Sequence, residues 1–155
     1  MELAFTLDQL TPEIIATVLN GAYINASVET YNEGKSEEFK VANVSHDGWQ
    51  FQVYAGFHDA VCFKCYQTFD SGYGEDQLKQ VADYMDGFPV DSTYLISLDG
   101  DAGHLMSFHY QHLLPEDEKL SPAYLVKLCR HFAKTLNLHS ANWNAIEEGA
   151  LANNK

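Results

Sequence analysis

The stretch Trp49–Phe69, WQFQVYAGFHDAVCFKCYQTF, decides the fold of this chain. Trp49, Phe51, Val53, Ala55 and Phe57 alternate with Gln50, Gln52, Tyr54 and Gly56, the period of a strand with one face buried. After His58-Asp59-Ala60 the alternation resumes, with Val61, Phe63, Cys65 and Phe69 on one side and Cys62, Lys64, Tyr66 and Thr68 on the other. Two such runs joined by so short a break predict an antiparallel hairpin.

Working outward towards the N-terminus, His46-Asp47-Gly48 predicts a tight turn, because Asp-Gly tolerates the positive φ that a two-residue hairpin loop demands. Before it, Phe39 to Val44 reads as a strand, and Ile24, Ala26 and Val28 alternate as another, separated by the turn Asn32-Glu33-Gly34-Lys35. These runs predict a four-stranded meander from Ala22 to Phe69. Ahead of it, Thr11-Pro12-Glu13 supplies a capping hydroxyl, a proline at the first helical position and an acid at the positive dipole end. Leu10 is placed to staple onto Ile15. Ile14, Ile15, Val18 and Leu19 form the apolar stripe, and Asn20-Gly21 reads as the stop, with Gly21 as the left-handed residue.

Towards the C-terminus, Leu78, Val81, Ala82 and Met85 predict a second helix, ended by Gly87 and Pro89. Tyr94, Ile96 and Leu98 open a strand that turns at Asp99–Gly103 into His104–Leu113. Ser121-Pro122 repeats the cap-plus-proline start, with Leu120 placed to staple onto Leu125. Leu125, Leu128, Cys129, Phe132 and Leu136 make the stripe of a third helix. Asn142–Ile146 reads as a short docking segment and 147–155 as a frayed tail. The order α-β-β-β-β-α-β-β-α pairs strands in hairpins, so the expected class is α+β: an antiparallel sheet of about six strands with helices packed on it. Residues 1–155 are expected to form a single domain.

The composition, 46% hydrophobic and 13% aromatic, suits a globular core that needs no metal or disulfide. Nine basic against twenty-two acidic side chains give a formal charge of -13, which disfavours nucleic acid and anionic lipid and favours a protein partner of opposite charge. The opening MELAFTLDQLTPE has no basic n-region or sustained apolar run, and no segment is long enough to cross a bilayer. Three cysteines without framework spacing suit a reducing compartment, so the expected location is cytoplasmic.

The candidate chemistry reads as structural throughout. Cys62 and Cys65 are three apart on a strand and therefore point to opposite faces, which suits neither a disulfide nor a shared metal. Asp99–His104 lacks the glutamate and glycine placement of a calcium loop. His109 with His112, and His131 with His139, lack chelating spacing, while Cys129 and His131 do not share a helical face. There is no Gly-x-Ser-x-Gly motif, phosphate-binding glycine loop or basic-aromatic interleaving. No catalytic, cofactor-binding or metal residue is assigned, and the expectation is a protein that is not an enzyme.

The element order, with Gly48-Trp49-Gln50-Phe51-Gln52-Val53, the Cys62–Phe69 strand and the Leu98-Asp99-Gly100-Asp101 hairpin, resembles the bacterial YbjN-like family over roughly Thr11 to Leu138. That family is similar in fold to the chaperones of type III secretion systems, small acidic cytoplasmic homodimers that bind an extended effector segment. The resemblance implies a non-enzymatic protein-binding module, chaperone-like or regulatory, and brings no catalytic residues. The alternative is an acidic immunity or inhibitor protein that blocks a basic toxin or nuclease. A homodimer is expected, through either a sheet edge or the Pro122–Leu136 helix, because an open strand edge demands management and two-fold closure is its commonest solution.

Overall fold

A computed structural model describes residues 3–57, 59–69, 76, 79, 92–97 and 104–153. The class is α+β with an antiparallel sheet. After a 3-10 turn, Leu7–Gln9, come helix α1 (Pro12–Gly21) and strands β1 (Asn25–Tyr31), β2 (Phe39–His46), β3 (Trp49–Phe57) and β4 (Ala60–Phe69). They are followed by β5 (Ser92–Ser97), β6 (His104–Leu113) and a long helix, α2 (Pro122–Asn153). Hydrogen-bonded neighbours run β1-β2-β3-β4, and β5 neighbours β6. The helix expected around Leu78–Met85 and the turn Asp99–Gly103 lie outside the described residues; Asp76 and Lys79 are helical.

The chain divides into two compact units, Met1–Lys64 with Gln111–Ala133, and Cys65–Tyr110 with Lys134–Lys155. In the first unit α1 begins as its sequence dictates. The Thr11 hydroxyl accepts from the Ile14 N–H at 3.3 Å, Pro12 occupies the first turn, and Glu13 stands at the positive end. Leu10 and Ile15, the two ends of the expected staple, are both buried. The buried side of α1 is Ile15, Ala16 and Leu19, with Ile14 and Val18 only half-buried.

The end of α1 differs from expectation. Gly21 is still helical, and the left-handed residue is Tyr23, at φ 63°. Its N–H donates to the Asn20 carbonyl at 3.1 Å, and that of Ile24 to the Leu19 carbonyl at 2.9 Å, the two bonds of a Schellman cap. The physical reason is burial: this cap places Leu19 and Ile24, both buried, at its two ends. The tyrosine ring itself is 97% exposed.

β1 and β2 pair from Asn25↔Ser45 to Tyr31↔Phe39, and β2 and β3 from Ala42↔Val53 to His46↔Trp49. The register sets Ala26, Val44 and Phe51 in one cross-strand row and Val28, Ala42 and Val53 in the next, giving an inner apolar face. α1 packs on β1, β2 and β3, and its Glu13 reaches Lys40, whose parity is that of the inner face, at 3.6 Å. The β2–β3 loop is the expected Asp47-Gly48, with φ values of 52° and 81°, the two positive dihedrals of a mirror-image hairpin turn.

α2 starts with the Ser121 hydroxyl accepting from the Tyr124 N–H at 3.1 Å, and Leu120 and Leu125 are both buried. Phe5 and Leu120 exchange backbone bonds of 2.8 and 2.7 Å, which ties the N-terminal segment to the start of this helix. Phe132 meets Phe51 edge-on at 5.2 Å and Phe63 at 5.6 Å, so α2 covers the inner face with an aromatic cluster. Arg130 donates to the Ala22 carbonyl at 3.4 Å, at the negative end of α1.

β4 departs from strict alternation: Ala60, Val61, Cys62, Phe63 and Cys65 are all buried. Cys62, expected beside Lys64 and Tyr66 on the polar side, is covered because this part of β4 is buried on both faces. In the second unit β5 and β6 pair antiparallel from Ser92↔His109 to Ser97↔His104, and Met106, Ser107 and Phe108 are buried. The helical backbone of α2 continues to Asn153, through the segment whose composition predicts fraying.

Candidate functional site

Cys62, Cys65 and Cys129 are buried and form no disulfide among the described residues. Burial pushes the thiols of Cys65 and Cys129 up to about 12 from an ordinary 9.0. It also raises that of Cys62, partly offset by Lys64. A thiol must ionise to act as nucleophile or metal ligand, so near neutral pH these three behave as small apolar side chains.

His109 Nε2 lies 3.0 Å from the hydroxyl of buried Ser107, and the His112 ring sits 5.5 Å from that of Tyr124. His46 approaches the carboxylate of its neighbour Asp47 at 3.5 Å, and His131 is exposed on α2. The side chain of His139 and residues 98–103 lie outside the described residues. Among the described residues no three His, Cys, Asp or Glu side chains converge as a metal site would require. None of the described helices is long and apolar enough to cross a membrane.

A more informative arrangement lies along β1, at the end of the strand order. The Asn20 side-chain amide bonds both backbone groups of Ala26: its Nδ2 donates to the carbonyl at 2.8 Å, and its Oδ1 accepts from the N–H at 3.0 Å. Ala26 therefore directs both groups away from β2. In an antiparallel pair this direction alternates residue by residue, so Val28 and Thr30 also direct N–H and C=O outward, while Ser27, Glu29 and Tyr31 bond to β2. Among the described residues nothing bonds to the outward groups of Val28 and Thr30. The edge thus has one outward pair closed by Asn20 and two open.

Side chains beside this edge are ordered by their own contacts. Tyr31 stacks on Phe39 with centroids 5.1 Å apart and planes at 19°. Gln52 Nε2 donates to the Tyr31 hydroxyl at 2.8 Å, and that hydroxyl donates to the Glu29 carboxylate at 3.2 Å. Glu29, Tyr31, Phe39 and Gln52 all share the face opposite α1. Phe39 is 47% exposed, and Glu29 is exposed. Further along, the turn Asn32–Glu38 is exposed, folded by left-handed Asn32 and Gly34 at φ 57° and 80°, and carries Glu33, Glu37 and Glu38 against Lys35. The sequence signals only turn and strand here, because which strand ends a sheet is set by its neighbours. Asn20 gives a faint signal, an amide at a helix end just before a strand, and it reads locally as a stop.

Comparison of the chain with protein-family models, curated proteins and solved structures gives no match.

Proposed function

We propose that this chain is a non-enzymatic protein-binding module that accepts an extended segment of a partner along the outer edge of β1. The observation that carries this reading is the pair of open outward groups at Val28 and Thr30, beside the pair that Asn20 closes. Strand addition supplies affinity through main-chain hydrogen bonds and specificity through alternate side chains. The buried, protonated thiols favour binding over catalysis as the role of the chain. The reading keeps the resemblance to YbjN-like proteins and type III secretion chaperones as its context, together with a cytoplasmic setting. It also keeps a two-fold homodimer and the full order α-β-β-β-β-α-β-β-α in a single domain.

Amide exchange tests it directly. Short acetylated peptides with valine at alternate positions and lysine, serine or glutamate between should include at least one that slows exchange at Val28 and Thr30. The amides of Ser27 and Glu29, already bonded within the sheet, should change little. Thr30→Pro removes an outward N–H that β2 does not use, a change edge strands tolerate, and should abolish that protection. If none of these peptides protects the two amides, strand addition on β1 is wrong. Sedimentation across micromolar and submicromolar concentrations tests the dimer, and a species near 17.4 kDa throughout would remove it.

A second reading, an acidic inhibitor of a basic toxin or nuclease, rests on the formal charge of -13 and the exposed turn Glu116, Asp117 and Glu118. Charge complementarity would speed association and make it salt-sensitive. Reversing those three charges should slow capture of a candidate basic toxin at low salt; unchanged association would remove that turn from the inhibitory surface.

A further inference from the structure

Resting on strand addition at β1, we infer that this edge takes a basic extended segment of a different chain, in antiparallel register, and is set against pairing with its own copy. The register follows from the two open pairs. A strand that bonds to Val28 and Thr30 places one residue directly opposite Glu29, in the closer, non-hydrogen-bonded type of pair, with Cα atoms about 4.5 Å apart. Side chains opposite Val28 and Thr30 fall on the inner face beside the apolar rows, whereas the one opposite Glu29 falls on the face opposite α1. The pattern requested is therefore an apolar or β-branched residue on either side of one lysine or arginine. Glu29 is exposed on that face, with its carboxylate bonded to the Tyr31 hydroxyl, and the neighbouring turn adds Glu33, Glu37 and Glu38 against Lys35.

The same geometry excludes a second copy. Two-fold pairing of a strand with itself is antiparallel, and three such registers are centred within the open stretch, on Val28, Glu29 and Thr30. Centred on Val28, the pairing sets Thr30 against Ala26 of the copy, whose backbone groups Asn20 already occupies. Centred on Thr30, it sets Val28 against Asn32, which has left the strand at φ 57°. Only the register centred on Glu29 uses both open pairs, and it places two like charges directly opposite each other, which is destabilising. Asn20 and Glu29 together thus block self-association while leaving the edge open to a segment of opposite charge. A dimer of this chain would use another surface.

The test measures binding of the valine–lysine and valine–glutamate peptides by fluorescence anisotropy near physiological ionic strength, with amide exchange at Val28 and Thr30 reporting the site. The lysine peptide should bind at least about tenfold tighter than the glutamate one, and Glu29→Lys should reverse that order. Glu116→Lys makes the same change in net charge at a turn away from β1, and it should leave the order intact. Glu29→Thr, which removes the like-charge contact, should raise self-association in sedimentation. If peptides protect Val28 and Thr30 irrespective of charge, or Glu29→Lys and Glu116→Lys act alike, the basic-segment inference falls while strand addition stands. If the unmodified chain dimerises with protection of its own Val28 and Thr30 amides, the exclusion of a second copy falls. If no peptide protects those amides, the underlying binding reading falls with it.

Discussion

β1 and β4 are strands in opposite circumstances. β4 is covered on both faces from Ala60 to Cys65, with Lys64 the one half-exposed residue in the run, whereas β1 alternates between exposed and covered positions and has a neighbour on one side only. Phe63 on β4 meets Phe132 of α2; Glu29 on β1 points into solvent. The difference separates two uses of the same backbone. A strand buried on both faces spends its side chains on stability and renders even its thiols inert, while an edge strand retains hydrogen-bonding capacity that binding can use.

The largest expected effect breaks the β4 side of this contrast. Phe63→Ala should cost about 3–5 kcal/mol, since it removes a fully buried ring and its contact with Phe132. Chemical denaturation monitored by circular dichroism measures this, and a loss below about 1 kcal/mol would show that β4 is not the anchor described.

Next come the thiols. Cys65→Ser should cost about 1–3 kcal/mol because a hydroxyl would replace a weakly polar thiol at a buried position. The native protein should resist iodoacetamide at Cys62, Cys65 and Cys129 near neutral pH, with mass spectrometry counting the adducts. Rapid single labelling would mean that one thiol is accessible after all. The pH dependence has a definite sign. Cys65 and Cys129 are raised from 9.0 to about 12 in the folded chain, so above pH 9 the unfolded chain releases these protons first. Their contribution is intact below pH 9 and is lost between about pH 9 and 12, so replacing either with alanine should flatten the alkaline decline in stability.

On the β1 side, Asn20→Ala removes two hydrogen bonds to Ala26 and should cost about 1–2 kcal/mol. Its sharper readout is local: the Ala26 amide should exchange faster while those of the β2–β3 ladder hold. Exchange unchanged at Ala26 would mean that the amide does not close that pair in solution.

The smallest effect runs in the stabilising direction. Tyr23→Gly should gain about 0.5–1 kcal/mol, because the left-handed conformation costs an L-residue roughly that much or more and the ring is almost wholly exposed. A loss on this substitution would reveal that the exposed ring makes a contact the chain needs. Tyr23→Ala, which lacks both the ring and glycine's freedom, separates the two causes.

Much of the architecture is legible residue by residue. Thr11-Pro12 and Ser121-Pro122 mark helix starts because a hydroxyl and a proline satisfy the same local need wherever they occur. Asp47-Gly48 marks a hairpin because its two positive φ angles depend on those two residues. The alternation in Trp49–Val53 matches a strand with one covered face because side-chain period is a backbone property.

What the sequence alone determined was therefore the features whose cause lies within a few residues: the helix starts, the Asp47-Gly48 turn, the period of Trp49–Val53 and the charge. The tertiary structure alone decided that Tyr23 rather than Gly21 takes the left-handed position, because burying Leu19 with Ile24 outweighs the cost of the dihedral. It alone decided that Cys62 is covered, because a second covered face depends on what packs there and leaves no periodic trace. The open groups of Val28 and Thr30 belong with these: whether a backbone N–H is bonded depends on the strand beside it, and that neighbour is chosen by the whole sheet.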